Sequence, residues 1–64
     1  MNTTRDHILD CAPKVFAERG YSGASTRVLA EVAGVNISTL AYHFGNKQGL
    51  YDAVVDQVYV ALIE

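Results

Sequence analysis

From the fourth residue onward, apolar side chains fall at Ile8, Cys11, Ala12, Val15 and Phe16. Steps of three and four put them on one face of a helix. The spacing predicts a helix over about Thr4–Arg19, with Thr3 or Thr4 as its cap and Asp6 in a first turn that favours a carboxylate. Gly20 suits the left-handed residue that ends a helix, and Tyr21 is placed to fold back onto Phe16. Pro13 is discordant: it lacks an N–H and crowds the Leu9 carbonyl, at ~3 kcal/mol in a helix interior. The apolar spacing continues across it, so one kinked helix is expected rather than two.

A small-residue loop, Ser22 to Ser25, precedes a second helical pattern in Leu29, Ala30 and Ala33, with Ser25 or Thr26 as its cap. Gly34 ends it after about two turns. A third pattern runs from Asn36, a good cap, to Phe44, with Leu40 and Phe44 on one face and Val35 expected to be buried between the two helices. Two short helices joined by a tight turn containing glycine describe a helix-turn-helix. A fourth helix begins at the cap Asn46, with Leu50, Tyr51, Val54, Val55, Val58 and Leu62 as its core stripe. Its β-branched density would also suit a strand, but Leu50, Val54, Val58 and Leu62 repeat every four residues, which favours helix. From Val54 on, only Asp56, Gln57 and Glu64 are strongly polar. A helix apolar nearly all round is normally buried on all sides, so this one is expected to pack on a second copy or to continue into a larger domain. The fold class is all-α: a three-helix bundle containing a helix-turn-helix, plus the start of a fourth, connecting helix.

Composition narrows the class. With 64 residues the chain holds one small domain, and 50% hydrophobic content with 19% charged residues argues against disorder. A single cysteine excludes an internal disulfide framework. The longest apolar run, Val58 to Ile63, is far below the ~20 residues of a membrane span. Arg5, Asp6 and Asp10 near the start do not form a signal peptide, so a cytoplasmic protein away from membranes is expected.

The net charge of −2 is unusual for a nucleic-acid binder. The distribution matters more than the total, however, because the local field is what a phosphate meets. Between Glu31 and Asp52 there is no carboxylate. The outer positions of the third helix, Ile37, Ser38, Thr39, Ala41, Tyr42 and His43, are small, hydroxylated or aromatic, and none is acidic.

Lys47 stands at the first position of the fourth helix, where the dipole disfavours a cation by ~0.3–1 kcal/mol. Gly49 occupies the place of the usual capping-box acid. Free N–H groups beside a lysine make an anion site that fits a phosphate; the plain alternative is a solvated lysine. Arg27 repeats the situation in the second helix, with a surface pairing to Glu31, worth ~0.3 kcal/mol, as its alternative. Tyr42 and His43 can reach phosphates or sugars, or else pack on the fourth helix and stand in solvent, respectively. His7, Asp10 and Cys11 share a helical face, but Cys11 belongs to the apolar stripe and no second ligand pair exists, so no metal is expected. No phosphate loop, zinc-hydrolase helix or nucleophile elbow is present, and neither catalysis nor a cofactor is expected.

The run Phe16-Ala17-Glu18-Arg19-Gly20-Tyr21, then Ser25-Thr26-Arg27, then Leu29 to Val35, resembles the N-terminal domain of TetR-family transcriptional regulators. Thr39-Leu40, Tyr42-His43-Phe44, Asn46-Lys47 and Leu50 continue the match without a gap, over essentially the whole chain. The resemblance implies a DNA-binding head over 1–46 and, over 47–64, the start of a helix leading to a C-terminal regulatory domain outside the chain. It implies a recognition helix at about 37–43 in the major groove, with bases read by Arg27, Ile37, Ser38, Ala41 and Tyr42. Phosphates would be met by Thr26, Thr39, His43 and Lys47. The partners implied are double-stranded DNA carrying a palindromic operator, a second copy in a homodimer, and a small-molecule effector held by the C-terminal domain; the activity implied is repression. Two residues depart from the family pattern: Ala41 stands where Tyr is frequent, giving a smaller apolar contact, and Pro13 where a helix former is usual. The alternative from another class is a helical protein-interaction or dimerisation module. The acid-free span from Val32 to Tyr51 separates the two, since such a module does not require it.

Overall fold

The computed structural model describes residues 3–63. Four helices follow one another: α1 (Thr4–Gly23), α2 (Thr26–Ala33), α3 (Ile37–Phe44) and α4 (Lys47–Ile63). Each start is fixed by a local side chain. Thr3 and Asp6 form a reciprocal capping box on α1, Ser25 Oγ accepts from Val28 N–H at 3.2 Å, and Asn36 Oδ1 accepts from Thr39 N–H at 2.8 Å. Asn46 Oδ1 accepts from Gly49 N–H at 2.8 Å. These bonds satisfy donors that a helix start leaves open. Ser25, not Thr26, therefore caps α2.

The helix ends follow the glycines. Gly34 adopts φ 73°, ψ 29°, and the Val35 N–H turns back to the Ala30 carbonyl at 3.0 Å. That left-handed residue swings the chain from α2 into α3 in the space of a few atoms. α1 continues across Pro13, as its apolar spacing implies, but the break in helical dihedrals lies at Gly20 (φ 74°, ψ 169°) and not at the proline. After it the chain completes one more turn to Gly23, so α1 outlasts the expected end at Arg19, and the expected loop shrinks to Ala24 and Ser25.

α1 packs on α2 and α4, and α3 is held between α2 and α4. The core is Ile8, Leu9, Ala12, Val15 and Phe16 of α1, Leu29, Ala30 and Ala33 of α2, Leu40 of α3, and Leu50 and Val54 of α4, closed by Ala24. Leu9, outside the expected stripe, is buried, while Cys11 and Val35 only pack half-buried against the cluster. Among the described residues no polar or charged side chain is buried. The apolar stripe expected along α4 divides: Leu50 and Val54 enter the core, Tyr51 is half-buried, and Val55, Val58 and Leu62 are exposed. The side chains of Ala61 and Ile63, and all of Glu64, lie outside the described residues.

Candidate nucleic-acid interface

α3 is two turns long and divides cleanly by side. Leu40 is 1% exposed and Phe44 half-buried, so they face the bundle. Ile37, Ser38, Ala41 and Tyr42 are exposed. Positions spaced one, four and five apart fall on a single helical side, so the four expected base-reading positions of α3 form one outward face. Tyr42 reaches furthest, at 84% exposure. Thr39 and His43 are half-buried and border that face one turn apart. Arg27 is exposed in the first turn of α2, and Thr26 is half-buried beside it, its hydroxyl not needed as the cap.

A row of rings leads away from Tyr42. The His43 ring meets it edge-on at 5.2 Å between centroids, Phe44 follows at 6.2 Å, and the Arg5 guanidinium lies 5.5 Å over Phe44. Arg5 thus brings a cation from the start of α1 to the end of α3. The signal that singles out Arg27 applies equally to Arg5: a cation in a first helical turn, where the dipole disfavours it.

Lys47 is half-buried and not simply solvated. Its Nζ donates to the Tyr21 carbonyl at 2.7 Å and lies 4.2 Å from the centre of the Tyr21 ring. Tyr21 is itself held by ring contacts to Phe16 at 6.1 Å and Tyr51 at 5.1 Å, and its hydroxyl donates to Gln48 Oε1 at 2.9 Å. An ammonium has three donors, so one bond to Tyr21 leaves two for an anion. Gln48 also donates to Asp52 Oδ1 at 2.8 Å, which ties the first carboxylate after the acid-free span to its own helix. Gly49 gains a second explanation: a Cβ there would overlap the Phe44 carbonyl oxygen. The missing capping-box acid is thus required by the closeness of the α3–α4 turn, whatever the anion does.

The His7–Cys11 pair does form, with Sγ 3.8 Å from Nε2. Among the described residues no group of three His, Cys, Asp or Glu side chains is placed to hold a metal. No helix among them is long and apolar enough to cross a membrane.

Comparison with known proteins agrees with this arrangement. Residues 8–54 match the family described as bacterial regulatory proteins, tetR family. The chain is 37% identical over 57 residues to the probable HTH-type transcriptional regulator YttP of Bacillus subtilis, covering 89% of this chain and 28% of that protein. It is 43% identical over 53 residues to the HTH-type transcriptional repressor ComR of Escherichia coli, covering 83% of this chain and 25% of that one. Among solved structures, a linker-substituted mutant of HlyIIR superposes with a TM-score of 0.81 at 41% identity, over 84% of this chain and 30% of that one. Unmutated HlyIIR, a hemolysin II transcriptional regulator, gives 0.77 at 43% identity, over 80% of this chain and 28% of that one. The chain therefore spans about 28% of the length of such a relative. Four helices with a tight α2–α3 turn, an outward α3 face and these matches lead to one conclusion: the chain belongs to the tetR family of bacterial regulatory proteins.

Proposed function

We propose that residues 1–46 form a head that binds double-stranded DNA in a sequence-specific manner, as part of a transcriptional repressor acting in the cytoplasm. Residues 47–64 begin the helix that joins this head to a C-terminal regulatory domain. α3 lies in the major groove, where Ile37, Ser38, Ala41 and Tyr42, with Arg27 from α2, read base edges. Thr26, Thr39, His43 and Lys47 meet the phosphates on either side and set the register. The protein has no catalytic task and needs no cofactor for this one. Two heads related by a two-fold axis read the halves of a palindromic operator, centred about one helical turn, ~34 Å, or a multiple of it apart. A small molecule bound by the C-terminal domain changes that separation and shifts the population to a form that cannot engage both halves.

The observation that carries this reading is the outward face of α3: Tyr42 is 84% exposed and Ile37 46% exposed on a helix whose flanks hold no carboxylate from residue 32 to 51. A large aromatic and a β-branched side chain standing in water serve no purpose for stability, while a groove wall supplies the apolar contact they lack. The test is selection of bound sequences from a random duplex pool, followed by titration of the winner against scrambled DNA. Enrichment of a two-fold symmetric motif is expected, together with a specificity ratio above roughly 10³. Equal affinity for all sequences, or no binding at low salt, overturns the proposal.

A further inference from the structure

In an α-helix the donor for the Leu9 carbonyl is the N–H of residue 13, and residue 13 is proline. The Leu9 oxygen therefore lacks the donor that an unbroken helix would supply. A carbonyl left in that state beside a core residue must find a donor elsewhere or lose free energy. The donor comes from the far end of the chain: Gln57 Nε2 of α4 lies 3.4 Å from Leu9 O, a long, partly buried bond between residues 48 apart in sequence. Gln57 lies in a groove with Arg5, Asp6 and Asp56 around it, and it is the one neutral amide there.

A second tie runs parallel to it. Lys47 Nζ, at the other end of the α1–α4 contact, donates to the Tyr21 carbonyl just beyond the break at Gly20. The two pairings, 47 with 21 and 57 with 9, step in opposite directions along the chain, as antiparallel helices require. Each uses a carbonyl that α1 does not fully occupy: at Leu9 because residue 13 is proline, and at Tyr21 because it lies in the last turn, where its oxygen accepts only a long 3.4 Å bond from Ala24 N–H. Apolar packing alone lets a helix slide or roll, because dispersion has little directionality; two bonds at separate points along its length remove both freedoms.

We propose that Pro13 and Gln57 are a matched pair: the proline vacates the Leu9 carbonyl, the glutamine fills it, and the resulting clasp fixes the register of α4 on α1. Gln57 is thus a positioning residue for the helix that leaves the head. This stands whether or not the head binds DNA.

A double-mutant cycle in urea, on the intact chain, tests it. In the Pro13 parent, Gln57→Glu sets an acceptor against an acceptor and lowers the folding equilibrium constant about fivefold, the ratio that one ordinary net hydrogen bond represents. Gln57→Leu, which removes the donor without adding charge, gives a loss of similar size. In the Pro13→Ala background the backbone N–H at residue 13 takes the Leu9 carbonyl, and both substitutions change the constant by less than about twofold. Equal losses in the two backgrounds, or no loss in either, overturn the clasp. The Leu9 carbonyl carbon resonance supplies a readout that stability does not move. It shifts on Gln57→Leu in the parent and stays in place in the Pro13→Ala background; a resonance indifferent to Gln57 in the parent overturns the proposal as well.

Discussion

Tyr42 is the most exposed large apolar side chain among the described residues: 84% of it meets solvent, and its ring contact is with the neighbouring His43. Tyr42→Ala is expected to leave the urea midpoint of the chain within ~0.5 kcal/mol of the parent. The same change lowers affinity for the selected operator by ~10-fold or more, against a small loss on scrambled duplex, since a good base contact is worth ~1–3 kcal/mol. Equal losses on the two DNAs, measured by fluorescence anisotropy, remove Tyr42 from the base-reading set. Lys47 differs because it contacts Tyr21 in addition to its proposed place at a phosphate. Lys47→Ala weakens binding to every sequence and makes the salt dependence shallower by about one unit, and it also lowers stability by ~0.5–1 kcal/mol through the lost contact with Tyr21. The cap Asn36 and a 3.6-residue period are local and place Ile37, Ser38, Ala41 and Tyr42 outside, but the same period also puts Thr39 and His43 there, which are half-buried, and only the family resemblance separates the four from the two. The Lys47–Tyr21 bond joins residues 26 apart, and the overlap that keeps Gly49 a glycine involves the backbone of a different helix. Neither leaves a trace in spacing, so the absent acid at Gly49 looked electrostatic when it is steric.

Helix boundaries follow the same division. Ser25, Asn36 and Asn46 each bond an N–H three residues on, and caps of this kind are visible in sequence as residue type and offset. The inner and outer halves of α4 are not, since which apolar residues are covered depends on what else is present to cover them. Leu50 is fully buried and Val58 is 50% exposed, although both belong to one four-residue repeat. Leu50→Ala is accordingly expected to cost ~2–5 kcal/mol, enough to unfold much of a domain of this size, whereas Val58→Ser stays within ~0.5 kcal/mol; circular dichroism during thermal melting checks both. Gly49→Ala pushes α4 away from the end of α3 and costs ~1–3 kcal/mol as an overpacked contact. Unlike a surface substitution, it should also reduce operator affinity in proportion to the displacement of α3. Retention of full affinity at the parent's melting temperature would show that the α3–α4 turn has slack the structure does not display.

For the molecule as a whole, a net charge of −2 coexists with an acid-free middle. Binding should therefore depend on salt through a few cations and not through a broad basic field. With Lys47 as the cationic phosphate partner proposed for a head, the logarithm of affinity is expected to fall against the logarithm of salt with a slope of about −1 per head. A slope several times steeper, measured between low and moderate salt, would mean that Arg5, Lys14 or Arg19 also reaches the backbone. The brevity of α3 sets a limit of another kind. Eight residues of helix measure about 12 Å, and at ~3.4 Å per base pair this spans three or four steps of duplex. Four base pairs distinguish about 256 alternatives, or eight bits, while choosing one position among ~10⁶ genomic competitors takes about twenty. Arg27, the proposed base contact from α2, adds about one base pair and two bits, so the proposed pair of heads carries about twenty bits and only just meets that demand. On the proposed reading, neither half of the operator is an address by itself, and one head alone is lost among about a thousand equally good sites.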